Sequence, residues 1–380
     1  MIADLHMSRR RFIKQGLLVS AALSMSGCSV LRFQPKDVPP LEEVPDFSEA
    51  NIIKHVVGLR PYRKKKIRLE IRESGQKVLV YNYGHGGGGF TTSWGCAEIA
   101  GDMIDSVALP RPPVAVLGGG VIGLSAARII QEKGFPVRIY AAAFTPNVTS
   151  NLAGAQWAPS GIALGETCEE RGMFDDILAR SYRRFTRLDG IRYGISHRLN
   201  YVSEEGYGGA LDRVPQGILP SFDYLGRLPF PGAPHRGKVY RTLLIEPPIY
   251  MPALMDDVRN AGGTFVERRF SSEEEIMGLP ERIVVNCLGL GAGEVCRDEL
   301  VMPIRGQLVH LKPKKLPYLL IHDGYVFPRA DAIVVGGSYD KGMTDTNPDP
   351  ALAIRILERN RSFFWGSAKL SGATQPVNKS

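Results

Sequence analysis

The stretch VAVLGGGVIGLSAARIIQEKGFPVRIY (114 to 140) decides the fold of this 380-residue chain. Its first four residues predict a buried strand, the glycine-rich segment 118 to 123 a tight turn, and the following residues a helix and a second strand. Gly118 permits the turn, Gly120 lets a pyrophosphate approach the backbone, and Gly123 lets the helix pack closely. The start of the helix would face the phosphate charge. This order of elements predicts a dinucleotide-binding unit.

One element of this fingerprint is missing. The second strand should end in Asp or Glu, which binds the adenosine ribose, but here it ends in Tyr140 followed by three alanines, 141 to 143. Loss of that charge-assisted contact costs on the order of 1.5–3 kcal/mol. The absence of an acid at Ala142 argues against a freely exchanging NAD and leaves a tightly bound dinucleotide as the expectation.

Composition and charge narrow the class of protein. The chain is 44% apolar and 23% charged, which is typical of a globular protein long enough for two domains. Its net charge is +8, of which residues 1 to 27 supply +3 (four basic residues minus one acid). The densest basic run, 60 to 72, has no stacking aromatic residues or nucleic-acid motif, so we interpret it as a solvated face. No nucleic-acid partner is expected.

Four cysteines lie in the body of the chain: Cys96, Cys168, Cys287 and Cys296. Their spacing matches no metal-ligand motif, so no metal site is predicted. We expect small and mostly buried thiols.

The N-terminus has the features of an export signal. Residues 8 to 14, SRRRFIK, fit the twin-arginine pattern, and a short apolar stretch follows from Gly16 to Met25. This stretch is too short to span a bilayer, which takes about 20 residues. It ends in MSGC (25 to 28), which resembles a lipoprotein cleavage site, so we predict a signal over 1 to 28 and a lipid anchor at Cys28. Ordinary peptidase cleavage is the alternative. Residues 29 to 45 would form a Pro-rich tether to the membrane on the periplasmic or cell-surface side.

Six blocks together resemble the D-amino-acid oxidase family of FAD-dependent enzymes. Two of them precede the fingerprint and four follow it: GLRPYR (58 to 63), NYGHGGGGFTTSWGCA (82 to 97), TSNLAGAQWAP (149 to 159), IVVNCLGLGAG (283 to 293), MPIRGQLVHLK (302 to 312) and YVFPRADAIVVGGSY (325 to 339). In the family, the first two blocks come at the far end of the chain. The resemblance therefore implies a circularly permuted member, in which residues 98 to 113 bridge the original termini. A truncated protein with an unrelated N-terminal extension is the alternative.

The resemblance implies a mixed α/β fold with a Rossmann-like FAD-binding domain and an interleaved substrate domain built on a mixed sheet. The FAD-binding domain would comprise residues 76 to 160 and 281 to 312. The substrate domain would comprise residues 46 to 75, 161 to 280 and 313 to 380. Neither domain would be continuous in sequence.

Four residues are implied at the reacting centre. Arg60 would bind the substrate carboxylate through two parallel hydrogen bonds, and Tyr325 would add its hydroxyl to the same group. The carbonyl of Gly87 would accept a hydrogen bond from the substrate amine, and the Gln156 amide would reach the amine or the flavin edge. His85 is expected to be structural.

The implied cofactor contacts lie in four segments. They are Gly118, Gly120, Val121, Ile122 and Gly123 of the fingerprint, then Thr149, Ala153, Gly154 and Ala155, then Phe270, and finally Gly86, Gly87, Gly88, Gly89, Phe90 and Thr91 of the glycine loop. Arg305 and Gly306 are expected to support the domain junction.

Substrate choice rests on fewer residues. Tyr339 stands where an oxidase of acidic amino acids would need a basic residue, which favours neutral or apolar D-amino acids. Arg329 is a reservation, and Ile321 stands where the family has a lid tyrosine. The products would be a 2-oxo acid, ammonia and hydrogen peroxide. A membrane-tethered dehydrogenase that reduces a quinone or a protein, and a non-catalytic flavin-binding lipoprotein, remain open alternatives.

Overall fold

The structure, a computed structural model, describes residues 38–107, 110–205, 210–232 and 235–366. The twin-arginine segment, Cys28 and most of the predicted tether lie outside the described residues, as does the end of the chain from 367 to 380. Their predicted roles therefore stay predictions.

The described strands follow one another along most of the chain. They are β1 (Ile52–Arg63), β2 (Arg68–Ser74), β3 (Lys77–Tyr83), β4 (Val114–Leu117), β5 (Val137–Ala141), β6 (Ile195–Ser203), β7 (Asp223–Leu225), β8 (Gly237–Ile245), β9 (Thr264–Glu267), β10 (Ile283–Asn286), β11 (Val301–Leu311), β12 (Tyr318–Ile321), β13 (Tyr325–Pro328), β14 (Ile333–Gly336) and β15 (Asp340–Lys341).

The described α-helices lie between these strands. They are α1 (Gly89–Asp105), α2 (Val121–Glu132), α3 (Cys168–Phe185), α4 (Gly190–Tyr193), α5 (Pro247–Asn260), α6 (Glu273–Met277), α7 (Gly291–Val295) and α8 (Pro350–Trp365). Short 3₁₀ helices cover Glu49–Asn51, Thr149–Leu152 and Leu211–Arg213.

The fingerprint lies in a six-stranded sheet of order β2-β3-β10-β4-β5-β9. All neighbouring pairs in this sheet are parallel except β2 and β3. Strand β4 is buried along its whole length, as expected of a parallel strand covered on both faces. Helices α1, α2 and α5 contribute apolar residues to the core on one face, and α6 and α7 contribute to the core on the other. The predicted dinucleotide-binding topology is thus present.

The second sheet has nine strands in the order β1-β11-β14-β13-β12-β6-β8-β7, with β15 pairing to β11. It is mixed, since β12 runs parallel to β6 whereas its other pairs are antiparallel. Helix α8 packs on one face through apolar residues such as Ile356 and Phe364. Leu152, which follows strand β5 of the six-stranded sheet in sequence, packs against the other face of the nine-stranded sheet. The mixed α/β class predicted from the sequence is confirmed.

The two sheets divide the chain at other points than the predicted domain boundaries. Strands β2 and β9 lie in the six-stranded sheet that contains the fingerprint, although the sequence analysis placed their residues in the substrate domain. All of β11 was placed in the FAD-binding domain, yet β11 is central to the nine-stranded sheet, between β1 and β14. Strands β9 and β11 pair with partners distant in sequence, which local pattern does not encode, whereas β2 joins its sheet through a hairpin with β3.

Candidate active site

Arg60 and Tyr325, the two residues predicted to bind a carboxylate, come together on one face of the nine-stranded sheet. The Arg60 guanidinium donates a hydrogen bond from Nη1 to the Ser338 carbonyl at 3.3 Å. A Cβ placed on the neighbouring Gly337 would lie 3.4 Å from the Tyr325 hydroxyl. The predicted amine-binding residue is also near, because a Cβ on Gly87 would lie 3.5 Å from Arg60 Cδ. Arg60, Gly87 and Tyr325 therefore converge, as the sequence predicted.

The environment of Tyr325 keeps its hydroxyl protonated. Burial raises the pKa of Tyr325, and the nearby Arg60 guanidinium opposes that shift. The ring stacks on Phe327 with centroids 4.6 Å apart. Gly154 of the predicted cofactor segment lies against the same pair, since a Cβ there would be 2.8 Å from Phe327 and 3.5 Å from Tyr325. Gly154, which has no side chain, thus lies against Tyr325. We refer to Arg60 and Tyr325, the two residues predicted to bind the carboxylate, as the clamp.

The glycine loop, Gly86 to Gly89, is crossed by the segment 160 to 162. Gly86 has a φ of 52° and Gly87 donates a backbone hydrogen bond to the Gly161 carbonyl at 3.0 Å. A Cβ on Gly87 would lie 2.7 Å from the Ser160 carbonyl oxygen. Only glycine allows this approach, and helix α1 begins directly after the crossing, at Gly89.

Two other residues of this block, His85 and Thr91, are buried and contribute to the structure. Burial lowers the pKa of His85 to about 3, so its ring is neutral, and its Nε2 is buried without a hydrogen-bond partner. The Thr91 hydroxyl both donates to the Ala158 carbonyl (2.8 Å) and accepts from the Ala158 N–H (3.0 Å). Thr91 therefore fastens α1 to the segment that follows Gln156, and Phe90 beside it is buried in the core.

The fingerprint has the geometry that binds a pyrophosphate. Gly118 has a φ of 119°, and a Cβ there would overlap the Cys287 carbonyl. A Cβ on Gly123 would lie 3.0 Å from the Gly118 carbonyl carbon, so the helix could not pack as closely with a larger residue. At Gly120, by contrast, a Cβ would meet only Ser150 Oγ, at 3.2 Å. This leaves the start of α2 accessible to a ligand.

Helix α2 begins at Val121, three residues earlier than predicted, followed by Ile122 in its first turn. The Val121 N–H donates to Ser150 Oγ at 3.0 Å. Ser150 lies in the quoted block 149 to 159 but was not singled out from the sequence. Its hydroxyl could have been suspected, because Ser is a common partner for free N–H groups at helix starts.

The segment from Thr149 to Ala155, which the sequence predicts to contact the cofactor, lies between the two sheets. Ala153 accepts a hydrogen bond from Arg329 at 2.9 Å, and Ala155 has a φ of 56°, unusual for a residue with a side chain. Gln156 pairs with Leu244 of β8 through its backbone, whereas its Nε2 is buried without a partner. An unpartnered amide is costly to bury, so it indicates a group that a ligand completes.

At the adenosine end, the missing acid leaves an exposed Ala142 just beyond β5. Phe270 is buried there, and its ring lies edge to face with that of Tyr140, 6.1 Å away. The Tyr140 hydroxyl hydrogen-bonds to the buried carboxylate of Glu281 at 3.2 Å. Phe270, predicted to contact the cofactor, is therefore packed in the core, with the Arg268 guanidinium 4.8 Å from its ring centroid.

Arg305 is buried on the opposite face of β11 from Arg60. It donates to the carbonyls of Asp345 and Asn347, both at 2.9 Å, and pairs with Asp340 at 3.3 Å. Gln307 binds the same loop through the Asp349 carbonyl. Arg305 thus holds the loop between β15 and α8 in place. Gly306, expected only to support the junction, instead faces Arg60 directly.

Arg329 is committed to contacts within the protein. Its guanidinium forms a two-pronged pair with Asp331 at 2.8 and 2.7 Å and donates to Ala153, and its side chain is only 1% exposed. Arg359 donates to the carbonyls of Gly336 and Gly337 at 3.4 and 3.1 Å. The reservation that Arg329 marks an acidic-substrate pocket therefore loses its basis.

Strands β12 and β13 are joined by only three residues, His322, Asp323 and Gly324. Such a turn has no room for a mobile lid. Ile321 pairs with Tyr325 across this hairpin. The position at which the family has a lid tyrosine is therefore part of a short hairpin and not of a longer loop.

Two expectations from the sequence are corrected. In the basic run 60 to 72, the lysines are exposed, but Arg63 pairs with the nearly buried Asp298 at 2.9 Å, and Arg68 reaches it at 3.8 Å. These arginines neutralise a buried acid and do not form a solvated face. Cys168 is exposed, because it opens helix α3 at the surface.

These residues fit FAD. Gly120 lies at the start of the 12-residue helix α2, where a pyrophosphate is favoured, and a Cβ there would meet only Ser150 Oγ. The unpartnered Gln156 amide directly follows the segment from Thr149 to Ala155. Gly118, Gly120, Val121, the backbone from Thr149 to Ala155 and the glycine loop would hold the cofactor.

Comparisons with known proteins identify the family. Residues 113–375 match the family DAO, described as FAD dependent oxidoreductase. A D-amino-acid oxidase of Rubrobacter xylanophilus is 33% identical over 255 residues, which is 64% of this chain and 74% of the relative. A D-amino-acid oxidase of Streptomyces coelicolor is 29% identical over 258 residues (65% and 76%). The human D-aspartate oxidase is 25% identical over 256 residues (65% and 74%).

Proposed function

Because the chain belongs to the DAO family of FAD dependent oxidoreductases, we propose that it oxidises D-amino acids with neutral or apolar side chains. The products are a 2-oxo acid, ammonia and hydrogen peroxide. The observation that carries this proposal is the convergence of Arg60, Gly87 and Tyr325 beside the segment that faces the cofactor.

When bound at these residues, FAD would supply the redox chemistry as acceptor of the α-hydrogen and its electron pair, with oxygen as the final electron acceptor that gives hydrogen peroxide. The amine loses a proton as the C=N bond forms, and water hydrolyses the resulting imino acid. The protein's task is orientation, since its residues need not add or remove a proton at the α-carbon.

The carboxylate is the handle for that orientation. Arg60 presents a planar fork of donors, which suits a carboxylate through two parallel hydrogen bonds. Tyr325 adds a third donor, and because burial raises the pKa of its hydroxyl it stays protonated at neutral pH. The two side chains come from different strands of one rigid sheet, so their separation is fixed.

The amine would face the glycine loop, where the Gly87 carbonyl would accept a hydrogen bond from it. The Gln156 side chain, whose Nε2 has no partner within the described residues, would complete its hydrogen bonding at the amine or at the flavin edge. Together with the carboxylate contacts of Arg60 and Tyr325, these two contacts select a substrate that carries both a carboxylate and an amine on one carbon.

Preference for a neutral side chain follows from the arginines around the clamp. Arg329 and Arg359 each donate to carboxylates or carbonyls of the protein, and Arg305 lies on the opposite face of β11. Tyr339 lies close to the clamp instead, with the Arg60 guanidinium 5.8 Å from its ring centroid. An aromatic wall favours apolar substrates over acidic ones.

We further propose that the chain is circularly permuted. Strand β1, which carries Arg60, pairs with β11, and β3 before the glycine loop pairs with β10, so the early blocks are integral to both sheets. The family match begins at residue 113, and the relatives are covered over about three quarters of their length. An unrelated extension would not be expected to supply the clamp arginine.

Export by the twin-arginine route and anchoring through Cys28 remain part of the proposal. Support comes from the motif itself, since these residues precede the described chain. Within the described ranges, none of the helices is long and apolar enough to cross a membrane.

A panel of D- and L-amino acids, mixed anaerobically with the purified yellow protein, tests the function. We expect D-amino acids with small or apolar side chains to bleach the flavin absorbance, and L-enantiomers to leave it unchanged. Peroxide formation on admitting air distinguishes an oxidase from a dehydrogenase that uses a quinone or protein acceptor. A protein that is colourless and cannot take up FAD, or whose flavin no amino acid bleaches, would contradict the proposal.

A further inference from the structure

Arg60 lies directly on a glycine of the neighbouring strand. Gly306 of β11 pairs with Gly58 of β1, two residues before Arg60 on the same face of the sheet. A Cβ on Gly306 would lie 2.5 Å from Arg60 Cζ and Nη2, and closer still to Nη1. All three nearest atoms belong to the guanidinium group, so this glycine contacts the functional end of the side chain.

Tyr325 rests on a glycine in the same way. Gly336 of β14 pairs with Tyr325 of β13, and a Cβ there would overlap the phenol ring. Again, the three nearest atoms all belong to the clamp residue. Both predicted carboxylate ligands thus lie flat on backbone that has no side chain.

A positive φ does not explain these glycines. Neither Gly306 nor Gly336 has a φ between +20° and +160°, the region that favours glycine. No backbone atom is among the three nearest neighbours of either Cβ position. What an added methyl group would displace is the guanidinium in one case and the phenol in the other.

We propose that Gly306 and Gly336 are positioning residues, which set how far Arg60 and Tyr325 stand above the sheet. This inference rests on the proposed carboxylate role of Arg60 and Tyr325. Ordinary contact with a Cβ begins near 3.4 Å, so alanine at 306 would push the guanidinium away by at least 0.9 Å (3.4 − 2.5). A misplacement of about 1 Å in a reacting complex costs on the order of a hundredfold in rate.

The variant Gly306→Ala tests this, with Gly58→Ala as its matched control. The two glycines face each other across paired strands, and alanine suits the backbone of both. A Cβ on Gly58 would meet only Leu152, at an ordinary 3.6 Å. We would measure KM and kcat for the best substrate of the panel, the FAD content, and the Kd of propionate from its effect on the flavin spectrum. Propionate carries the carboxylate without the amine.

We expect Gly306→Ala to raise the propionate Kd about tenfold and lower kcat/KM about a hundredfold, with FAD content unchanged. Gly58→Ala should match the wild type in all of these. If Gly58→Ala were equally impaired, or Gly306→Ala unimpaired while Arg60→Ala weakens propionate binding, the inference would be overturned. If Arg60→Ala itself left propionate binding unchanged, the clamp in the proposed function would fail first.

A double variant covers the case in which Gly306→Ala folds poorly. In Gly306→Ala/Arg60→Ala the guanidinium is gone, so the added methyl group has room. We expect this protein to be as stable as Arg60→Ala, a non-additive result. If the double variant were as unstable as Gly306→Ala alone, the methyl group would be colliding with something other than Arg60, and the inference would be wrong.

Discussion

The pair Arg329–Asp331 gives the sharpest test of how the two sheets are joined at the cofactor. The Arg329 side chain is 1% exposed, whereas that of Asp331 is 41% exposed. Arg329 also donates to the Ala153 carbonyl at 2.9 Å, which links β13 and its following turn to the cofactor segment. We predict that the two partners have opposite importance for stability and for FAD binding.

The magnitudes follow from what each substitution leaves behind. Arg329→Met keeps most of the volume and leaves a carboxylate that water can reach, so the main loss is the hydrogen bond to Ala153, about 1.5–3 kcal/mol. Asp331→Ala removes the more exposed residue but leaves a buried guanidinium without its counter-ion, which costs about 3–5 kcal/mol. The more exposed residue should therefore be the more destabilising one to remove.

FAD affinity should show the reverse order. In Asp331→Ala the hydrogen bond from Arg329 to Ala153 remains, so the FAD Kd should stay close to that of the wild type. In Arg329→Met the segment at Ala153 is released, and a loss of about 1.4 kcal/mol there would raise the Kd about tenfold. Urea unfolding at saturating FAD and flavin fluorescence titration measure the two quantities. Equal effects on FAD Kd, or a milder loss of stability for Asp331→Ala, would refute the reasoning.

Three further outcomes are expected. Arg60→Ala should lower kcat/KM by about 2–5 kcal/mol in transition-state terms with little change in FAD content, and Arg60→Lys should lie between it and the wild type; an unchanged kcat/KM would contradict the clamp. Tyr325→Phe should raise KM without adding or removing an alkaline limb near neutral pH, because burial raises the pKa of Tyr325; steady-state pH profiles test this. Burial lowers the pKa of both His310 and His322 to about 4, so on acidification the unfolded protein takes up protons before the folded protein does. The contribution of these histidines to stability should therefore be full above about pH 6.5 and fall towards pH 4. A free energy of unfolding that stays flat over that range would be inconsistent with neutral buried histidines.

The sequence was sufficient where function depends on local pattern or on matched blocks. The strand, turn and helix around Gly118 follow from residue order alone, and the meeting of Arg60 with Tyr325 follows from the family resemblance. It was insufficient where a residue's role depends on a distant partner. Gly306 could be seen in the IRGQ block, but what it contacts is set by the pairing of β1 with β11.

Arg329 shows the same limit in electrostatic terms. From the sequence it was a basic residue near the clamp, and only the fold shows that its donors are already used. The acid two positions later, Asp331, was the available signal. The sheet membership of β9 and β11 was not predictable either, since the sequence pattern of a strand does not identify a partner that is distant in sequence.

The position of β1 at the edge of the nine-stranded sheet has a consequence for biosynthesis. Its ladder partner is β11, with Arg63 opposite Val301 and Ile52 opposite Leu311, so partners are separated by 238 to 259 residues (301 − 63; 311 − 52). At about 5–20 residues per second, the strand that carries Arg60 leaves the ribosome roughly 12 to 50 seconds before its partner. Arg60 is thus synthesised early and Tyr325 late. A nascent chain that ends before residue 301 lacks β11, the strand with which β1 and its Arg60 pair.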